Sequence, residues 1–254
     1  MHPVEVLRLL ARSQDDDSVA LAAEAGEVLA SLASSDPEAL VPACRRLLDR
    51  HVGCVPLWWV AARVLSAADP VAEGMEAASE LWDDPTHELL DDLVGSDGRR
   101  VLLGGSFSAM ASAEVAAIDV DGIGVGVTGR GEILLSPGAR SWLRDASELS
   151  LEVWLVAGAG RMLPSRLWTS LAGRVTQDRH SPAGRRRNLG IASDVTLVSS
   201  SSLQQPAPGS SRWVLEPMTE SARVLGPVGL MTVAAALKEA QHSCPEPAAL
   251  LGGW

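Results

Sequence analysis

Three times in the middle of this chain a short apolar run ends in glycine and polar residues: Val101–Phe107, Glu114–Gly122 and Leu151–Arg161. A compact apolar run without alternation suits a parallel strand covered on both faces. The glycines mark where such a strand hands its carboxyl end to a loop. Three of these runs constrain the chain to an α/β arrangement with a crevice at its strand ends.

Ahead of them, residues 1–95 read as helices only. Val4, Leu7, Leu9 and Leu10 mark a first short helix. Leu21, Ala25, Val28, Leu29 and Leu32 recur every three or four residues, which gives a second helix one apolar stripe. Ser34-Ser-Asp-Pro-Glu38 is a helix start, because a polar cap precedes proline. Leu40, Val41, Cys44, Leu47 and Leu48 form the stripe that follows, and Leu57 to Leu65 form a fourth. Asp69-Pro70 restarts the pattern into Met75, Ala78 and Leu81. The polar turn Gly95-Ser-Asp-Gly98 is the expected boundary. Beyond it, strands are expected at 101–104, 115–119, 123–127, 152–157, 194–198 and 212–215, and helices at 106–113, 138–147, 163–173 and 227–241. The expected architecture is therefore an all-helical subdomain over 1–95, then a Rossmann-like, mostly parallel α/β domain over 96–254.

Eight Trp, one Phe and no Tyr leave the core to Leu, Val, Ala and Met, with tryptophan as the large filler. Formal net charge is -11, from 32 acidic and 21 basic residues, and such a field repels polyanions. Neither nucleic acid nor an anionic membrane is an expected partner. No apolar run is long enough to cross a bilayer. Three cysteines without CxxC spacing fit neither a disulfide framework nor a zinc knuckle, and the amino terminus lacks a signal-peptide pattern. An acidic cytoplasmic protein is expected.

The candidate site residues lie at the three strand ends. In Leu103-Gly-Gly-Ser-Phe-Ser108, Gly104 and Gly105 let backbone approach a ligand, and Ser106 or Ser108 caps a helix whose free N–H groups face an anion. The same residues also suit a plain strand-to-helix turn, and the segment is neither GxxxxGK[ST] nor GxGxxG. Asp119-Val-Asp121 places two carboxylates at a strand end, as in haloacid-dehalogenase phosphatases, but Ile123 stands where those carry Thr. The pair serves either ligand binding or simple capping. Arg161 follows Gly160 at the end of the third run, where a guanidinium clamps a phosphate or bridges a surface acid. Arg174 to Asn188 is the one dense basic segment, either a lid over an anion or a solvated loop. The five histidines are dispersed, and no metal site or cofactor is expected.

From residue 101 onward the order of elements resembles the α/β half of the translation initiation factor 2B alpha/beta/delta family, which includes ribose-1,5-bisphosphate and methylthioribose-1-phosphate isomerases. Val101–Ser106 resembles the strand that opens that domain, and Val125–Gly138 resembles its Gly-Ala-Asp and Asn-Lys-x-Gly-Thr stretch. Val153–Arg161 resembles the next strand with its basic residue, and Leu215-Glu-Pro217 the Glu-x-x-Pro segment. The departures bear on chemistry. No cysteine lies between Cys54 and Cys244 to stand for the isomerases' catalytic one, Val127 or Thr128 falls where the aspartate belongs, and Leu135–Gly138 lacks the lysine. The resemblance implies a shortened relative without isomerase chemistry, pairing as a homodimer through its α/β domain. The Tyr-free, Ala- and Arg-rich composition resembles actinobacterial proteins.

Three functional readings follow. One is a non-catalytic or regulatory protein with a sugar-phosphate or nucleotide pocket. A second is an enzyme acting on a small phosphorylated metabolite, with Asp119, Asp121 or Glu216 as its acid or base. The third is a protein-interaction module without a pocket.

Overall fold

The computed structural model describes residues 2–13, 17–94, 100–104, 115–119, 132–135, 152–164, 166–167, 170–171, 174, 214–217 and 222–251. Six helices come first: α1 (Pro3–Leu10), α2 (Ser18–Ser35), α3 (Leu40–Arg50), α4 (Val55–Ser66), α5 (Pro70–Trp82) and α6 (Thr86–Val94). Their starts follow local chemistry. Asp17 caps α2 by accepting from the Val19 and Ala20 N–H groups at 3.0 Å. Asp69 does the same for α5 at 3.1 Å, with Pro70 in the first turn where its missing N–H costs nothing. The expected helix start at Ser34–Glu38 is displaced, because α2 runs through Ser35 and a short 3-10 turn at Pro37–Ala39 leads into α3.

The helices pack on small residues. A β-carbon on Gly74 would lie 2.8 Å from the Gly26 carbonyl oxygen, and one on Gly26 would lie 2.9 Å from that of Gly74. α2 and α5 thus meet backbone to backbone, with Ala22, Ala25, Ala30, Ala77 and Ala78 buried around the crossing. Trp58 and Trp59 of α4 are buried packing residues, and Trp58 donates from Nε1 to the Val52 carbonyl at 3.2 Å.

Strands follow: β1 (Arg100–Gly104), β2 (Val115–Asp119), β3 (Glu132–Leu135), β4 (Glu152–Val156), β5 (Val214–Pro217), β6 (Ala222–Gly226) and β7 (Gly229–Thr232). Five of them form a sheet in the order β2-β1-β4-β6-β7, and β3 pairs antiparallel with β5. β1 runs parallel to both β2 and β4, and β4 runs parallel to β6. The chain closes with α7 (Val233–Ser243), capped by Thr232, and the one-turn α8 (Ala248–Leu251).

The expected helix over 227–241 is corrected in its first part. Gly226 pairs with Gly229 across Pro227-Val228, so β6 and β7 form a tight antiparallel hairpin, and helix begins only at Val233. Gly229 sits at φ +108°, a backbone angle that side chains disfavour. Pro and Gly around a two-residue loop were the available signal. The expected strands at 123–127 and 194–198, and the expected helices at 106–113 and 138–147, lie outside the described residues.

One large apolar core joins the two parts of the chain. Leu29, Leu48, Trp58 and Val64 from the helices pack in the same cluster as Ala157, Leu163, Val224 and Ala240. A second cluster sets Leu90 of α6 against Trp154, Val156 and Leu225 of the sheet.

Candidate functional site

The register fixes where the expected site residues stand. Gly104, at the end of β1, pairs with Asp119 at the end of β2 on one side and with Val156 at the end of β4 on the other. The loops leaving these three residues therefore start from one edge of the sheet. Gly105, Ser106 and Asp121 lie outside the described residues, as does the basic segment beyond Arg174.

The segment after β4 is well defined. Ala157 donates to the Leu225 carbonyl at 2.8 Å, and the Arg161 N–H returns to the Gly158 carbonyl at 3.1 Å. Gly160 at φ +67° makes that turn possible. Asp84, in the link between α5 and α6, holds the turn from the helical side. Its Oδ2 accepts from the Ala159 N–H at 2.8 Å, and its Oδ1 accepts from the Thr86 N–H and hydroxyl at 3.1 and 2.5 Å. The carboxylate comes so close that a β-carbon on Gly158 would clash with Oδ2.

Beyond Gly160 the side chains part. Met162 lines a cleft of about 340 Å³ together with Trp59, Glu80, Asp83, Val228 and Glu239, whereas Arg161 is not in its wall. Arg161 instead lies near enough to Cys54 for its charge to act on that thiol. Cys54 is the residue from which α4 starts, and α4 has neither a side-chain cap nor an acid in its first turn. The half-buried Arg161 thus lies within electrostatic reach of the residue from which α4 starts.

Arg63 was not among the sequence candidates. It is a buried arginine on α4, bound to Glu73 and, at 2.7 Å, to Glu80, with its guanidinium 4.4 Å from the Trp59 ring centre. Burial alone would lower its pKa, but the hydrogen bonds to Glu80 and Glu73 outweigh it and leave it raised. A Trp-x-x-x-Arg spacing on a helix, with acids on the next helix, was the signal for it. Arg174, at the edge of the basic segment, lies 3.3 Å from Asp49 and 5.1 Å from the Trp58 ring centre.

The three cysteines are buried, and burial pushes each thiol up to about 12. A thiol held neutral in this way is inert as a nucleophile. Among the described residues no group of three or more His, Cys, Asp and Glu is placed to hold a metal ion.

A GxGxxG spacing also occurs, at Gly124–Gly129. It lies outside the described residues, but its neighbours decide its meaning. β3 begins at Glu132, which leaves two residues after Gly129 and no room for the helix that a dinucleotide turn must open.

No family model matches the chain, and no curated protein matches it. Solved structures do. eIF2B beta from Chaetomium thermophilum superposes with a TM-score of 0.56 at 13% identity, covering 99% of this chain and 93% of that one. A chain of the tetrameric eIF2B-beta2-delta2 complex from C. thermophilum gives 0.53 at 13%, covering 95% and 94%. A 5-methylthioribose 1-phosphate isomerase from Pyrococcus horikoshii OT3 gives 0.45 at 12%, covering 94% and 87%. This chain carries the fold of eIF2B beta.

Proposed function

We propose that this chain is a non-catalytic, regulatory relative of the eIF2B and sugar-phosphate isomerase family, divided into a helical subdomain (1–95) and a Rossmann-like domain (96–254). It binds a small phosphorylated metabolite, a sugar phosphate or a nucleotide, at the edge where β1, β2 and β4 end. The observation that carries this reading is the common row of Gly104, Asp119 and Val156, with Arg161 on the loop that leaves it. Open α/β sheets bind ligands outside the carboxyl ends of their strands. Gly104 and Gly105 let backbone N–H groups approach phosphate, with Ser106 as a hydroxyl donor. Asp119 and Asp121 accept from sugar hydroxyls, and Arg161 neutralises the phosphate.

The cysteines favour regulation over catalysis, because none is both near this edge in sequence and available as a thiolate. The fold shared with a subunit of a tetrameric complex supports assembly, here as a homodimer.

The test is calorimetry of the wild type and Arg161→Ala with ribose 5-phosphate and AMP. Loss of one charge-assisted hydrogen bond weakens binding by about ten- to a hundredfold, or about 1.5–3 kcal/mol. Equal dissociation constants would remove Arg161 from the site. Turnover of a pentose phosphate, followed by NMR, would overturn the non-catalytic reading. Absence of binding by both compounds would turn the weight to a protein-interaction module.

A further inference from the structure

The cleft between the helical region and the loop after β4 is lined by acids. Among the described residues of its wall Glu80, Asp83 and Glu239 are acidic, and none is Lys, Arg or His. Two helices also end there: α5 at Trp82, just before Asp83, and α7 at Ser243. The carbonyl ends of helices carry partial negative charge, which adds to that of the carboxylates. Arg63 offsets part of this field from beneath, through its bonds to Glu80 and Glu73. Glu239, by contrast, makes no ion pair among the described residues and is half-buried on α7. Between the acids the wall carries the apolar Trp59, Met162, Pro227 and Val228 and the hydroxyls of Ser79 and Ser243.

The spacing of the acids decides what kind of cation fits. They are not gathered closely enough to hold a metal ion. They stand instead around a space of about 340 Å³, the size of a small-molecule pocket, with apolar surface between them. We propose that this cleft binds an extended organic dication, two ammonium or guanidinium groups joined by a short aliphatic chain. One charged end pairs with Glu239, the other with Asp83 and Glu80, and the methylenes lie on Met162 and Val228. The proposal is independent of the phosphate site, since Arg161 has no part in it.

The experiment uses the full chain, with 1,4-diaminobutane and agmatine as probes, butylamine as the single-charge control and magnesium chloride at matched ionic strength. The last control matters because any cation relieves the self-repulsion of a chain with net charge -11. The expected result is saturable binding of the dications by calorimetry, about tenfold weaker for butylamine. Glu239→Gln, which removes a carboxylate without an ion pair, should weaken 1,4-diaminobutane about tenfold and leave the melting temperature of the free protein unchanged. Stabilisation by magnesium equal to that by the diamine would overturn the proposal. So would equal affinity of wild type and Glu239→Gln, or no binding heat with either dication.

Discussion

In the helical region α2 and α5 approach until the backbone of each meets that of the other at Gly26 and Gly74. Where the strand region joins it, a carboxylate, Asp84, reaches across to the Ala159 N–H. The first contact depends on shape and tolerates nothing larger than hydrogen. The second depends on hydrogen bonding and tolerates no loss of acceptor. The contrast shows how one core can hold two regions by different means, and it predicts which changes each region resists.

The largest effect should be alkaline and should touch both regions at once. Cys44 and Cys54 lie in the helical region and Cys244 follows α7, all with thiols pushed up to about 12 from 9.0 by burial. The native chain keeps protons that the unfolded chain releases above pH 9. Stability is therefore intact below that value and falls as the pH rises towards 12. At pH 10 the loss is about 1.4 kcal/mol per thiol, about 4 kcal/mol in all, with no tyrosine in the chain to add a titration of its own. Urea unfolding at pH 7.5 and pH 10 measures it. Equal midpoints would mean that the thiols are not buried in a common core.

Next comes the crossing. Gly74→Val should destabilise by about 3 kcal/mol, because two backbones must separate and the neighbouring alanines offer no space. The gain in helix propensity, under about 1 kcal/mol, does not offset it. A stability unchanged within error by urea titration would show that α2 and α5 do not touch here.

Asp84→Ala should cost about 2 kcal/mol, since it leaves the buried Thr86 and the Ala159 N–H without their acceptor. Hydrogen exchange should then rise after β4 while α2 and α5 stay protected. Uniform exchange changes would contradict the separation drawn above. The smallest effect belongs to Arg8→Ala, which breaks an exposed pair with Glu5 and should cost less than about 0.5 kcal/mol by the same titration.

The two regions also differ in how much of them the sequence discloses. Leu21, Ala25, Leu29 and Leu32 recur at helical spacing and are all buried, because helix packing repeats a local period. Asp17 and Asp69 are local signals too. The Gly26–Gly74 crossing was not legible, since a close approach joins positions far apart and leaves no periodic trace. In the strand region the ends of β1, β2 and β4 could be read from glycine and polar residues. β6 was not read, because Ala222-Arg-Val-Leu-Gly226 is short and runs directly into a Pro-Val turn. The acidic cleft was invisible for a related reason. Its carboxylates come from α5, the position after α5, and α7, and only the fold brings them around one space.

The sheet order bears on how the chain reaches its native state. β4 is flanked by β1, which precedes it, and by β6, which follows only after a long intervening stretch. Pairings between such distant segments form slowly, because the loop entropy is lost before the contacts repay it. During synthesis the helices of residues 2–94 emerge before the strands and can pack on one another, as at the Gly26–Gly74 crossing. The face that will later receive Ala157, Leu163 and Val224 then stays open to water until β6 has left the ribosome. Truncation before Ala222 would trap that exposed state, a sticky intermediate recognisable by dye binding and by its capture on chaperones.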